Sequence, residues 1–282
     1  MGIRHSFTVA VLICAGAVVS YSQTPQVATG GVLNGASFDK TGQPVAPGSL
    51  VSIFGTNLAA ATASAGSVPI STSLSSVTVT FNNIPAPISY TSPGQVNAQV
   101  PWETLALLPP GTSGSVQMSV VVSNNGVLST PTTVSLAPVS PGIFTFPGGV
   151  GQAIAVNADG SIAAPGNAGL PFTSHPAKAG DALVIYATGL GAVDTKVADG
   201  DVPTVITSKA TQQPTILVGG QPAQVLFAGL VGRDSSGQID GFVGAYQINF
   251  TVPSGTGTGT VPLQIQMNGI TSRNDVTIAV SN

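Results

Sequence analysis

One stretch of this chain is written twice. Pro47-Gly48-Ser49-Leu50-Val51-Ser52-Ile53-Phe54-Gly55-Thr56-Asn57-Leu58 returns without a gap as Ala179-Gly180-Asp181-Ala182-Leu183-Val184-Ile185-Tyr186-Ala187-Thr188-Gly189-Leu190. Further on, Gln95-Val96-Asn97-Ala98-Gln99-Val100-Pro101 returns as Gln247-Ile248-Asn249-Phe250-Thr251-Val252-Pro253. Two motifs that recur in the same order mean two related units in tandem. The alternation of apolar and polar residues within each copy makes them β units. A length of 282 residues admits one large domain or two ordinary ones, and the repeat selects two.

Composition agrees and removes several function classes. Only 6% of residues are charged, but 43% are hydrophobic, so the chain can bury a core and is not a disordered polymer. Gly (35) and Pro (22) punctuate short Val-, Ile- and Leu-rich runs, the pattern of an all-β protein. Seven scattered Lys and Arg cannot form a nucleic-acid surface, and a net charge of -3 steers no obvious partner.

The first residues read as a secretion signal. Arg4 and His5 precede an apolar run from Phe7 to Val19, too short to span a bilayer. Ser20-Tyr21-Ser22 places cleavage after Ser22; an uncleaved anchor is the alternative. Cleavage removes Cys14, the one cysteine, leaving no disulfide, thiol nucleophile or thiolate ligand. The expected organisation is a signal peptide at 1–22 and two immunoglobulin-like β-sandwiches at 23–138 and 139–282. Secretion or display at the cell surface follows, with no stable membrane span once the signal is cut.

Turn chemistry supports the pairing of the copies. Asn57 in one and Gly189 in the other both tolerate positive φ. Asn82-Asn83 corresponds to Gly219-Gly220, and Asn124-Asn125-Gly126 to Asn268-Gly269, as hairpin turns. About seven strands per copy with no helical period fit a sandwich. The second copy carries insertions near 194–213 and 231–243, expected to be loops.

At this point the residues carry a resemblance. Ala46 to Leu58 resembles the opening strand of IPT/TIG immunoglobulin-like domains. Ser92-Pro93-Gly94-Gln95-Val96-Asn97-Ala98-Gln99-Val100-Pro101-Trp102-Glu103, Pro138-Val139-Ser140-Pro141-Gly142-Ile143-Phe144 and Tyr186-Ala187-Thr188-Gly189-Leu190-Gly191 resemble the C-terminal region expanded in Solibacter and other Acidobacteria. The resemblance covers roughly Asn34 to Val280. It implies a secreted or surface module, with no family active site to carry over.

Candidate chemistry is sparse. Past Ser22 there is one histidine, His175, in a Pro-rich linker, and no Gly-x-Ser-x-Gly elbow. Glu103 is the only glutamate, beside the only tryptophan, Trp102. Trp102 and Glu103 are the candidate ligand-binding pair, an aromatic platform beside a carboxylate; packing of Trp102 at the junction of the copies, with Glu103 solvated, is the simpler expectation. Asp194, Asp199 and Asp201 cluster in one insertion and are the candidate calcium ligands, with Asp159 or Asp240 as a further donor. No other cofactor is expected. Asn249-Phe250-Thr251 is a formal glycosylation sequon inside an expected strand, and Ser254 to Thr260 is a Gly-rich loop without a phosphate-binding lysine. The leading expectation is a non-catalytic surface interaction module that meets an extracellular protein or glycan. The alternatives are a component of a polysaccharide hydrolase and a spacer without ligand.

Overall fold

A computed structural model describes residues 23–40, 42–166, 168–204, 208–233 and 242–282. The expected signal segment, most of the second insertion and Asp240 lie outside the described residues. In the first half the principal strands are β1 (Gln26–Asn34), β2 (Leu50–Thr56), β3 (Val77–Phe81), β4 (Ile88–Ser92), β5 (Gln95–Gln99), β6 (Val116–Asn124) and β7 (Thr132–Leu136). In the second they are β8 (Gly142–Ile143), β9 (Ala182–Thr188), β10 (Thr215–Val218), β11 (Gln221–Leu230), β12 (Tyr246–Thr251), β13 (Gly259–Met267) and β14 (Val276–Ser281). One 3-10 stretch, Trp102–Leu107, follows Pro101. No helix among the described residues is long and apolar enough to cross a membrane.

The protein is all-β and immunoglobulin-like. In the first half one sheet runs β1-β2-β5-β4 and ends on Ala63–Ser64; the other is built on β6 and β3, with β7 against β6. Alternation on each strand sends one set of side chains inward: Val77, Val79 and Phe81 are fully buried, whereas Thr78 is exposed. They meet Ile53, Ile88, Val96, Val120 and Val122 in one core. Each such side chain contributes about 1.5–3 kcal/mol by leaving water. A second core, sharing no residue with the first, gathers Leu183, Ile185, Ile216, Val218, Ile248, Phe250 and Leu263.

The repeat survives in three dimensions, in register. Ile53 pairs with Val96 and Phe54 with Gln95; Ile185 pairs with Ile248 and Tyr186 with Gln247. A slip of one residue would have turned these side chains to the opposite face. The agreement extends past the motifs. Val45 bridges Leu136 in parallel, as Ala177 does Val280, and Met118 faces Val134 as Val261 faces Ile278. Turn conformations match too: Asn82 and Asn83 have φ of 51° and 67°, Gly219 and Gly220 57° and 81°. Asn57 and Gly189 are both left-handed, at 57° and 83°.

The copies differ where proline intervenes. β11 is continuous, pairing β10 through Gln221–Ala223 and β12 through Gln224–Leu230, so one strand passes from layer to layer. In the first half that passage is cut. Ile84–Pro85 pairs β3, while β4 pairs β5. Pro85 and Pro87 flank the gap, and neither has an N–H to extend a ladder.

A further correspondence is not visible as a motif. Ser129 Oγ accepts the Val122 N–H at 3.0 Å, and Ser272 Oγ accepts the Ile265 N–H at 2.9 Å. Each serine returns its own N–H to the same residue's carbonyl, at 2.8 Å in both cases. Ser129→Ala and Ser272→Ala each orphan a buried N–H and are expected to cost about 1–2 kcal/mol. Urea unfolding checks this; a loss under a few tenths of a kcal/mol for either would show that water or a relaxed strand replaces the hydroxyl.

Candidate functional site

Of the residues named from sequence, Trp102, Glu103 and Asp199 fall at the junction of the two halves. Trp102 follows β5 and turns its ring under Gly48, so that a Cβ placed on Gly48 would lie 2.1–2.4 Å from three ring carbons. The same ring packs against the second core. It is therefore a wedge between the halves, not an open platform. Glu103 is exposed, yet it shares a hydrogen bond with Asp199, which reaches it from the first insertion of the second half. Asp199 Oδ1 also accepts the Trp102 N–H at 2.9 Å. Burial, and then the hydrogen bond with Glu103, push the Asp199 carboxyl up to about 7; that same bond is the main cause that lowers Glu103. One proton shared by two carboxyls is the chemistry such a pair supports at neutral pH.

The three aspartates of that insertion do not come together. Asp194 Oδ1 accepts the Lys209 N–H at 2.9 Å, Asp201 Oδ1 accepts the Val202 N–H at 2.8 Å, and Asp199 faces Glu103. Among the described residues no three His, Cys, Asp or Glu side chains converge as metal ligands do. His175 is exposed and 3.0 Å from Asp159. Its pKa is raised by the Pro176 carbonyl and then by Asp159, whose own carboxyl is held far below the usual range, chiefly by Ser161.

The described part of the first insertion is a loop, and it is a clasp. Gly200 donates its N–H to Gln99 Oε1 at 2.7 Å and accepts the Ile70 N–H at 2.7 Å. Ile70, Val202 and Val243 form a small buried cluster beside it. On the other side, Thr188 Oγ1 accepts the Leu50 N–H at 2.9 Å and donates to the Gly244 carbonyl at 2.8 Å. Asn34 Nδ2 donates to the Ser140 carbonyl at 2.8 Å. These contacts hold the halves in one orientation.

That orientation opens a cleft of about 540 Å³. Its floor is the outer face of the first sheet, where β2 and β5 pair Ser52 with Asn97. Ala65 to Ile70 form one wall; Phe144 and Phe242 from the second half form the other. The two rings meet edge to face, centroids 5.0 Å apart at 81°, and Phe242 is 45% exposed. Asn97 Oδ1 accepts from Ser52 Oγ at 2.9 Å and from Gln95 Nε2 at 2.7 Å. This explains the Gln-x-Asn spacing, which recurs as Gln247 Nε2 to Asn249 Oδ1 at 2.8 Å. Residues two apart on a strand share a face, so the glutamine orients the asparagine. None of the described residues lining the cleft has a titratable side chain.

The cleft was not legible as a site in the sequence. The amide-rich face was readable from Gln95-x-Asn97, but its aromatic wall comes from residues more than forty positions away. The IPT/TIG domain family matches residues 36–136. No curated protein matches the chain. Among solved structures it is similar to SGBP-B of the mixed-linkage glucan utilization locus of Bacteroides ovatus, in complex with a mixed-linkage heptasaccharide (TM-score 0.34, 12% identity, 94% of this chain and 47% of that one). It is also similar to the plexin A4 extracellular region, domains 1 to 8 (0.24, 10%, 94% and 19%). A third similar structure is SGBP-B from a complex xyloglucan utilization locus in Bacteroides uniformis (0.22, 14%, 89% and 48%). The chain spans less than half the length of each.

Proposed function

We propose that the mature chain is a non-catalytic binding module of the cell exterior, two IPT/TIG-like sandwiches divided near residues 137–141 and locked at their junction. Its affinity with the acidobacterial C-terminal region belongs to the same proposal. The observation that carries the reading is the junction cleft. Its walls come from both halves, and it exists because polar contacts and the Trp102 wedge fix their orientation. A pocket with a few placed polar groups and an aromatic wall suits ligand capture. A set of side chains without a titratable group suits no acid-base chemistry.

The shared bond of Glu103 and Asp199 favours a second reading, an acid-base enzyme such as a polysaccharide hydrolase component. Two facts weigh against it. Neither carboxyl lines the cleft, and Asp199 Oδ1 is engaged by the Trp102 backbone. Mature protein is expected to be retained by cell-wall or glycan fractions, alike with calcium and with chelator, and to show no turnover of polysaccharide, ester or peptide. Turnover abolished by Glu103→Gln would replace the binding reading with the enzymatic one.

A further inference from the structure

We propose that the junction cleft is a subsite for an uncharged glycan, with Phe242 as the stacking face and the Asn97 amide as the central hydrogen-bond donor. The inference rests on the binding-module reading and adds the chemical class of the ligand.

The donor is fixed by its neighbours. Asn97 Oδ1 accepts from Ser52 Oγ and from Gln95 Nε2, and a flipped amide would set its NH2 against the Gln95 NH2 group. Asn97 Nδ2 is left with both hydrogens and no hydrogen-bond partner among the described residues. The side chain is half-buried in the floor of the cleft. A preset donor costs little ordering when a ligand arrives. Ser89 stands alongside, its hydroxyl donating weakly to the Asn97 carbonyl at 3.3 Å and so open to a better partner.

The wall supplies the apolar half. Phe144 and Phe242 meet edge to face, and 45% of Phe242 stays exposed to meet a ligand. A ring face with its negative quadrupole attracts the polarised C–H bonds on one side of a pyranose, while hydroxyls at its edge meet the amide. The described lining has no Lys, Arg or His to neutralise a uronate or a phosphate, and no Asp or Glu to pair an amino sugar. Among the described residues, a charge buried there would find no compensating group. A peptide strand is a poorer fit. β2 and β5 lie inside the sheet order β1-β2-β5-β4, so their backbone groups are spent in the ladder, whereas strand addition needs an open edge.

Affinity electrophoresis tests this in gels containing a neutral soluble polysaccharide (a β-glucan, xyloglucan, galactomannan or dextran) or polygalacturonate. At least one neutral polymer is expected to retard the protein, and polygalacturonate is not. Phe242→Ala and Asn97→Ala should each weaken retardation about tenfold or more, Phe242→Tyr should retain it, and Asn249→Ala, the matching position outside the cleft, should leave it unchanged. Thermal melts establish that the variants fold; if Asn97→Ala does not, the exposed Phe242 pair decides alone. Equal retardation by polygalacturonate, or Phe242→Ala binding like the parent, would overturn the subsite while leaving a binding module in place. No retention by any polymer or by isolated cell walls would remove both.

Discussion

Replacing Gly48 by alanine is expected to lower the stability of the chain by about 2–5 kcal/mol. Two causes add. Gly48 has a φ of +73°, a left-handed conformation that costs an L residue about 1–2 kcal/mol. Its new Cβ would also fall 2.1–2.4 Å from three carbons of the Trp102 ring, and overpacking of a filled site costs about 1–3 kcal/mol. The ring cannot swing away easily, because its other contacts are with the second core. Gly42→Ala is the control: its φ is +84° with nothing within 4 Å of the added atom, so only the backbone cost remains. Denaturant unfolding of the two variants should differ by about 2 kcal/mol. A Gly48→Ala/Trp102→Ala double mutant should be less destabilised than the sum of the singles, since removing the ring removes the clash. Equal losses for Gly42→Ala and Gly48→Ala, or strict additivity, would show that Trp102 does not occupy the junction as described.

Local periodicity made the halves legible. Strand registers follow from alternation, and alternation is written in neighbouring residues. Hence Ile53 with Ile185 and Val96 with Ile248 were readable as equivalents before their pairing was known. Turns were readable for the same reason: Asn82-Asn83 and Gly219-Gly220 announce positive φ by residue type alone. Ser129 and Ser272 escaped notice because a single serine has no periodicity. Their role depends on which strand N–H lies opposite, and that is known only once the sheet is built.

The site divides along the same line. Trp102 was readable as a junction residue because it is the one large aromatic after a strand that ends one copy's motif. The first insertion was readable as a loop, but not as the clasp that brings Gly200 to Gln99 and Asp199 to Glu103. Spacing in sequence placed Asp194, Asp199 and Asp201 together; the fold gives each a different backbone donor. The cleft joins Asn97 to Phe144 and Phe242 across the junction, and a contact between units leaves no trace in the pattern of either one.

Stability is expected to fall as pH rises from about 4 to about 7, and Asp199 is the group responsible. Its unfolded value is near 3.8, and in the folded chain burial and the bond with Glu103 push it up to about 7. Across that window the folded state holds a proton that the unfolded state has released, so rising pH favours unfolding. Below about 4 both states are protonated and the contribution is complete; above about 7 it is gone. Glu103 acts with the opposite sign. Its pKa is lowered by the bond with Asp199, so its contribution is present above its ordinary value and is lost on the acid side. Lys196 attracts both carboxylates and reduces the rise at Asp199. A shift of about three units is worth about 4 kcal/mol unscreened; for a group half open to solvent about 2 kcal/mol is the reasonable share. Asp199→Asn keeps an oxygen for the Trp102 N–H but cannot ionise. The variant should therefore melt near the parent at pH 4.5 and about 4 °C above it at pH 8. Glu103→Gln should flatten the parent's profile in part, since it removes the facing carboxylate but not the burial. Parallel melting curves for parent and Asp199→Asn from pH 4.5 to 8.5 would mean that the two carboxyls do not share a proton. The clasp would then owe its hold to Gly200, Gln99 and Ile70, and to the Trp102 N–H bond that an ionised Asp199 keeps.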